Sequence, residues 1–257
     1  MYLNDILQHH RRIASLDERD LDDLVARAKA MPATRGFESK LKIDSTTHLA
    51  VIAEIKRRSP SRGALNNDLD PIEIATSYVD GGASCLSVLT DEQFFGGSQD
   101  DLQKARNATT VPILRKDFTV DPRDICDARL MGADCVLLIV AALSSTEIME
   151  FHKLAVGIGL DVLVEVHDQR ELEVALTVRA TLVGINQRNL TTFEVDHQRG
   201  IRMASSIPSD VVRVAESGIR TRSDAQRLRD AGFDAVLVGE SLVTAKNISE
   251  RVKDLCV

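Results

Sequence analysis

Tryptophan is absent from this 257-residue chain, tyrosine occurs twice and phenylalanine seven times. With aromatic side chains so scarce, two that fall at one loop mouth carry information. Cysteine is sparse and unpatterned: Cys85, Cys126, Cys135 and Cys256 form no C-x-x-C pair and no other zinc-ligand spacing. They read as reduced thiols, three of them inside regular elements, and not as a disulfide framework. The six histidines do not cluster. His9, His10, His48, His152 and His197 lie outside the predicted strand ends, and His167 follows Glu165 by two; no catalytic metal and no cofactor are expected. No apolar run approaches the ~20 residues that cross a bilayer. Residues 1–24 are charged and amphipathic, without the uninterrupted apolar stretch of a signal peptide. The expectation is a cytoplasmic protein with no membrane partner. Positive charge is in deficit, 32 Lys and Arg against 39 Asp and Glu for a net charge of -7. Nucleic-acid surfaces are basic, so that partner class is set aside as well. A small molecule is left.

What is present is regular. Hydrophobic residues make up 44% and charged residues 28%, the balance of a globular chain able to bury a full core. After Leu49, short β-branched or apolar runs alternate with helical patterns. Eight runs stand out, at 50–56, 84–90, 111–116, 134–140, 161–166, 181–186, 211–216 and 234–239, with ends 20 to 34 residues apart. That is the length of a βα unit. Helices are predicted between them at 71–80, 122–131, 146–156, 169–178 and 221–230, several preceded by Asp, Ser or Thr suited to an N-cap. Gly81-Gly82, Gly132 and Gly232 end three of these helices.

Eight parallel βα repeats in a chain of this length close most economically into an α/β fold, the (β/α)8 TIM barrel. A doubly wound open sheet would place a G-x-G-x-x-G turn after its first strand, and none is there. The expectation is a single barrel domain over 1–257, with 1–48 as an N-terminal helical extension. Segments 2–14 and 16–31 carry Leu3, Ile6, Leu7 and then Leu21, Leu24, Val25 at helical spacing. They would pack on the barrel over part of its mouth or base.

A barrel of this kind works from the C-terminal ends of its strands. The first strand ends in Glu54 and Lys56, which two-residue alternation places on one face. Burying such a pair costs several kcal/mol per ion unless each is well partnered, so it points to chemistry. The third strand ends in Lys116, the fifth in Glu165, the sixth in Asn186 with Arg188 following, the seventh in Glu216 and Ser217. The opposite ends carry mostly Asp, Ser and Thr. Leu114 and Lys116 share parity, as do Leu163 and Glu165, Gly184 and Asn186, Val214 and Glu216, so each polar terminus continues an inward line. Two lysines facing three carboxylates form a proton-transfer constellation, and a positioned acid or base contributes ~10²–10⁴-fold to a rate.

Strands seven and eight supply an anion grip. Glu216-Ser217-Gly218-Ile219 and Val238-Gly239-Glu240-Ser241 put a glycine after each strand, where backbone N–H groups can approach a phosphate. Helix N-termini beyond add a favourable field, and Ser59 in the Ser-Pro-Ser loop offers a further hydroxyl. Phe95 in FFGGS and Phe118 in KDF follow strands two and three. Two of seven phenylalanines at one mouth suggest a planar substrate moiety.

AEIKRRSPSRG, SVLTDEQFFGGS, PILRKDF, GADCVLLIVAAL, LVEVHD, GINQRNLTTFEVD, VAESGI and VLVGESL occur in order from residue 53 to 242. Together with the helical extension before strand one, they make the chain resemble the indole-3-glycerol phosphate synthases of tryptophan biosynthesis. Gln187 departs from the family pattern, which has Asn there, but points away from the strand-end face. The resemblance implies ring closure of 1-(2-carboxyphenylamino)-1-deoxyribulose 5-phosphate with loss of carbon dioxide and water. It implies that Lys116 protonates the ketone oxygen, that Arg188 and Lys56 hold the substrate carboxylate, and that Lys56 or Glu165 serves in the dehydration. Glu54 would hold Lys116 or Lys56 charged. Asn186, Glu216 and Ser217 would contact the hydroxylated chain, with Phe95, Phe118, Leu137 and Leu143 as further substrate-binding positions. Ser59, Gly218, Gly239, Glu240 and Ser241 would take the phosphate. A monomer is expected, with association with other tryptophan-pathway enzymes left open.

Two rivals are weighed. A sugar-phosphate isomerase would share the phosphate grip but would call for a Cys-Asp acid-base pair, and no C-terminal strand end offers a cysteine. A non-catalytic barrel binding a phosphorylated ligand would not need strand-end lysines and glutamates, all of which are present.

Overall fold

A computed structural model describes residues 2–59, 62–189 and 192–257. Pro60 and Ser61 of the Ser-Pro-Ser loop, and Leu190 and Thr191 of the segment after strand six, lie outside the described residues. Eight parallel strands close into a barrel: β1 (Ala50–Ile55), β2 (Cys85–Leu89), β3 (Ile113–Lys116), β4 (Cys135–Ile139), β5 (Asp161–Val166), β6 (Leu182–Asn186), β7 (Val212–Glu216) and β8 (Ala235–Val238). Each pairs with its sequence neighbours, and β1 closes the ring on β8 through Ala50 to Ala53 opposite Ala235 to Val238. The eight runs read from the sequence therefore all become strands, one or two residues shorter at some ends.

Strand alternation sorts the side chains into two cores. Outward residues such as Val51, Ala53, Leu86, Val136, Val164, Ile185 and Val236 meet the surrounding helices in one buried cluster. Inward residues, among them Ile52, Cys85, Leu114, Cys135, Leu163, Val214 and Leu237, fill the barrel in a second. The helices between strands begin where the sequence offers a cap. Asp70, Asp121, Ser144, Asp168 and Thr221 each accept a backbone N–H from the following first turn, an interaction that stabilises a helix by ~1 kcal/mol. The helix Pro71–Asp80 has the bounds expected of it, and Gly82, Gly132 and Gly232 follow their helices with φ of 94°, 96° and 88°, conformations that disfavour side chains.

The N-terminal segment differs from expectation in two respects. Three helices form, α1 (Tyr2–Ala14), α2 (Leu21–Lys29) and α3 (Phe37–Ser45). The helix expected from residue 16 starts at Leu21, because Asp20 caps it and accepts from Asp23 N. The unexpected α3 plugs the barrel base: Phe37 and Leu41 are fully buried in the inner cluster beneath Ala50, Cys85 and Leu182. Aspartates at the strand starts hold its approach, Asp134 accepting from Arg35 N and Asp161 from Glu38 N. Helix α1 lies instead against the opposite rim. Arg11 reaches Glu147 and the Ala142 carbonyl, His10 reaches Asp91, and Leu7 packs on the inner cluster with Phe118 and Leu143.

Candidate active site

With the base closed by α3, the open end of the barrel is the C-terminal one, and the inward parity of each strand decides what it presents there. β1 contributes Glu54, β3 Lys116, β5 Glu165, β6 Asn186 and β7 Glu216, each two residues beyond an inward position that is apolar or, at Gly184, small. All five line a single cavity with Lys56, Ser59, Phe95, Phe118, Leu137, Arg188, Ser217, Gly218, Gly239, Glu240 and Ser241. The structure thus gathers every residue singled out from the sequence except Leu143. That residue follows the short 3-10 turn Val140–Ala142 and packs, half-buried, against the two cores.

Lys116 is the centre of the charge cluster. Its Nζ donates to Glu165 Oε2 at 2.9 Å and lies 3.5 Å from Glu216 Oε2. Burial works to lower its pKa, but Glu165, Glu216 and Glu54 outweigh burial and hold it well above the ordinary lysine range. It is an ammonium at neutral pH. Lys56 pairs with Glu54, and Glu54 reaches Lys116 only through space. Glu165, also buried, is nonetheless pulled below the carboxylate range by Lys116 and His167, and Asn186 Nδ2 donates to its Oε1 at 3.0 Å.

Glu216 behaves oppositely. Burial, with Glu165 and Glu54 adding to it against Lys116, pushes its pKa well above the ordinary carboxylate value. A proton held more tightly on Glu216 reduces the negative charge buried in the cluster, and with it the cost of burying unpaired charge. Glu216 Oε1 has no hydrogen-bond partner among the described residues, and it lies where a side chain on Gly184 would be: a Cβ there would meet it at 2.1 Å. A glycine in the middle of β6 is therefore what gives the carboxyl its place.

On the β7 and β8 side, Ser217 and Gly218 adopt successive left-handed conformations, φ 69° and 78°. For a serine this is a strained conformation of the kind that collects at functional sites. The glycines turn out to be required by the protein as well as by any anion. A Cβ on Gly218 would strike Val195 at 2.5 Å and one on Gly239 would strike Glu54 Oε1 at 2.5 Å. Ser241 Oγ donates to the Ile219 carbonyl at 2.9 Å and ties the two loops together. The helix Glu240–Val243 starts at Gly239, and the first N–H groups of a helix have no intrahelical acceptor. Ser59 Oγ is buried with no partner among the described residues.

Arg62 and Arg220, which the sequence reading passed over, join the rim. Arg220 lines the cavity, and Arg220 and Arg62 converge on the Glu240 carboxylate at 3.5 and 3.2 Å. Arg188, whose guanidinium burial lowers in pKa, has its backbone N–H fixed by Asn186 Oδ1 at 3.0 Å. The ring centroids of Phe95 and Phe118 are 6.4 Å apart, tilted by 40°, a pair that walls one side. His10 comes from α1 to within 2.8 Å of Asp91 and 4.0 Å of Asp117, a convergence that only the docking of α1 produces. Both carboxylates already cap backbone N–H groups, Asp91 those of Phe94 and Phe95 and Asp117 that of Phe118. An imidazolium completes the arrangement as an ion pair. Gln187 points away from the cavity as expected, and its Nε2 donates to the Ser217 carbonyl at 2.9 Å.

The chain matches the family model described as indole-3-glycerol phosphate synthase over residues 3–255. It is 45% identical over 251 residues to an indole-3-glycerol phosphate synthase of Chloroherpeton thalassium, covering 96% of each chain. Among solved structures it is similar to a thiamine phosphate pyrophosphorylase from Pyrococcus furiosus, with a TM-score of 0.61 and 16% identity over 83% of this chain and 95% of that one. An N-acetylmannosamine-6-phosphate 2-epimerase from Clostridium perfringens has a TM-score of 0.61 and 12% identity over 77% and 90%. At such low identity the two structures speak for the barrel alone.

Proposed function

This chain belongs to the indole-3-glycerol phosphate synthase family, and from that premise we propose which residue performs each part of the reaction. The enzyme is a carboxy-lyase of tryptophan biosynthesis. It closes the ring of 1-(2-carboxyphenylamino)-1-deoxyribulose 5-phosphate and releases carbon dioxide and water, by Lys/Glu general acid-base catalysis.

Lys116 is the ring-closure acid, giving its proton to the ketone oxygen as the aromatic carbon attacks. The observation that carries this role is its buried Nζ held by Glu165 at 2.9 Å with Glu216 beside it. Charge and hydrogen bonding are directed at the atom that gains negative charge, the arrangement that lowers barriers most. Arg188 and Lys56 hold the substrate carboxylate until it leaves as carbon dioxide, and Glu54 keeps Lys56 charged and aimed. In the dehydration Glu165, oriented by Asn186, removes the ring proton while Lys56 protonates the departing hydroxyl. Asn186, Glu216 and Ser217 bind the hydroxylated chain, and Phe95, Phe118, Leu137 and Leu143 enclose the aromatic ring. Ser59, Gly218, Gly239, Glu240 and Ser241 receive the phosphate, supported by the strained Ser217-Gly218 turn and the start of the helix Glu240–Val243.

Residues 1–257 act as one barrel domain with 1–48 as its helical extension, a monomer of the cytoplasm. The four unpaired thiols suit a reducing compartment, and no helix of the described residues is long and apolar enough to cross a membrane. Purified protein mixed with the substrate in the presence of a chelator should show a rise of indole fluorescence, and light scattering should return the mass of one chain. Tight binding without product would move the reading to a ligand-binding barrel.

A further inference from the structure

Among the described residues, His167 is a largely buried titratable side chain that borders the cluster and that the scheme above leaves without a part. It follows β5 directly. Its Nδ1 lies 3.0 Å from Glu171 Oε2, which also accepts the His167 backbone N–H at 2.7 Å. A carboxylate accepts only, so Nδ1 carries a proton. Its Nε2 lies 3.4 Å from Glu165 Oε1 and is buried without a hydrogen-bond partner. Glu171, His167, Glu165 and Lys116 form a chain of side chains with separations of 3.0, 3.4 and 2.9 Å.

The proton balance of the reaction gives this chain a task. The substrate carboxylate leaves as neutral carbon dioxide, so each turnover takes up one proton. Lys116 gives one to the ketone oxygen. Lys56 gives a second to the departing hydroxyl, and Glu165 gains one from the ring carbon. Between ring closure and dehydration, Lys116 is a neutral amine beside the Glu165 carboxylate, and the buried cluster lacks one positive charge.

We propose that His167 is a positioning residue that acts through Glu165 and fills this gap, passing a proton inward after ring closure and recovering it at dehydration. In the first transfer the Nε2–H bond of the imidazolium breaks, a proton moves across Glu165, and an N–H bond forms on Lys116. The ring is left neutral, keeping its Nδ1 proton, which it donates to Glu171 in a hydrogen bond. When Glu165 later takes the ring proton, it hands that proton to His167 Nε2 and returns to carboxylate. The net proton enters from solvent at Lys56, whose side chain is 16% exposed.

The surroundings suit a charged ring. The groups facing it are carboxyls, Glu165 on β5, Glu171 on the helix Gln169–Thr177 and, holding its proton more tightly, Glu216 on β7, with the Lys116 ammonium on β3 beyond Glu165. The turn Val140–Ala142, which packs on that helix, adds no charge. Burial lowers the pKa of His167, but Glu171 and Glu165 outweigh it and the net shift is upward.

The inference rests on the role given to Glu165, and its test separates the two. Single-turnover rates with the substrate would be measured across pH for the wild type, His167→Gln, His167→Ala and Glu165→Gln. The wild-type rate should fall as pH rises through the pKa of His167, above its ordinary ~6.5. His167→Gln keeps an amide in place of Nε2 but cannot titrate. Its rate should drop on the order of tenfold or more, its alkaline limb should vanish, and KM should stay within twofold. Added imidazole should restore part of the His167→Ala rate. A His167→Gln profile that overlays the wild type, or a uniform drop with the limb intact and no imidazole rescue, overturns the inference. A wild-type rate in Glu165→Gln would instead overturn the role of Glu165.

Discussion

Replacing Lys116 by alanine removes the charge on which the cluster is balanced, and both its catalytic and its structural consequences follow from distances already given. Loss of a positioned general acid costs ~10²–10⁴-fold in rate, or about 2.7–5.4 kcal/mol of barrier at ~1.36 kcal/mol per tenfold. The expected outcome is a kcat lower by ~10² or more with KM little changed, because the phosphate loops and Arg188 are untouched. The structural consequence depends on pH. Lys116, 2.9 Å away, favours the ionised form of Glu165; without the ammonium that buried carboxylate is left with Asn186 and His167 alone, a defect of up to about 3–5 kcal/mol when one partner of a buried pair is removed. Protonation relieves that penalty, so the variant should lose more melting temperature at pH 8 than at pH 5. Lys116→Met, which keeps the apolar stem, should match alanine in kcat. Steady-state indole fluorescence and thermal melts at the two pH values read both effects. A kcat within fivefold of the wild type would refute the assignment.

Three further outcomes follow from the same geometry. Gly184→Ala puts a methyl 2.1 Å from Glu216 Oε1 and should displace that carboxyl, lowering kcat on the order of tenfold or more while the barrel still melts cooperatively; unchanged kinetics would show that the position of Glu216 is immaterial. Glu165→Gln should accumulate a ring-closed, undehydrated intermediate in quenched single turnovers, and its absence would count against Glu165 as the dehydration base. The His10 contact should loosen with alkali. Burial lowers the His10 pKa, but the Asp91 hydrogen bond and the charges of Asp117, Asp91 and Asp124 prevail and raise it. The stabilisation is therefore complete below the unfolded value of ~6.5 and lost as pH rises through the folded one. Amide exchange in α1, corrected for intrinsic rate, should quicken between pH 6 and pH 9 in the wild type and be insensitive to pH in His10→Ala.

The strand ends were legible because the barrel is built from a two-residue period. Once Leu163 is taken as inward, Glu165 must be inward too, and a parallel strand followed by a helix leaves its C-terminal end at the mouth. The same rule located Glu54, Lys116, Asn186 and Glu216. Helix α3 was not legible, since its sequence FESKLKIDS has only Phe37 and Leu41 to bury and an opening at the barrel base is not a property of any local segment. The convergence of Arg62 and Arg220 on Glu240 was missed for a similar reason. Those residues come from loops after β1, β7 and β8, separated by up to 178 residues of chain but adjacent once β8 pairs with β1 and β7.

The sequence by itself determined the eight-fold βα repeat, the side of each strand that faces inward, and the gathering of lysines, carboxyls and glycines at one rim, because these depend on local periodicity and spacing. Tertiary structure alone decided how protons are distributed among those groups. Lys116 and Glu165 are shifted toward their charged forms and Glu216 toward its protonated form by burial and the 2.9 and 3.5 Å separations created when β3, β5 and β7 close into one ring. Charge interaction grows as distance and effective dielectric fall, and neither quantity is a property of a residue until the chain has folded around it.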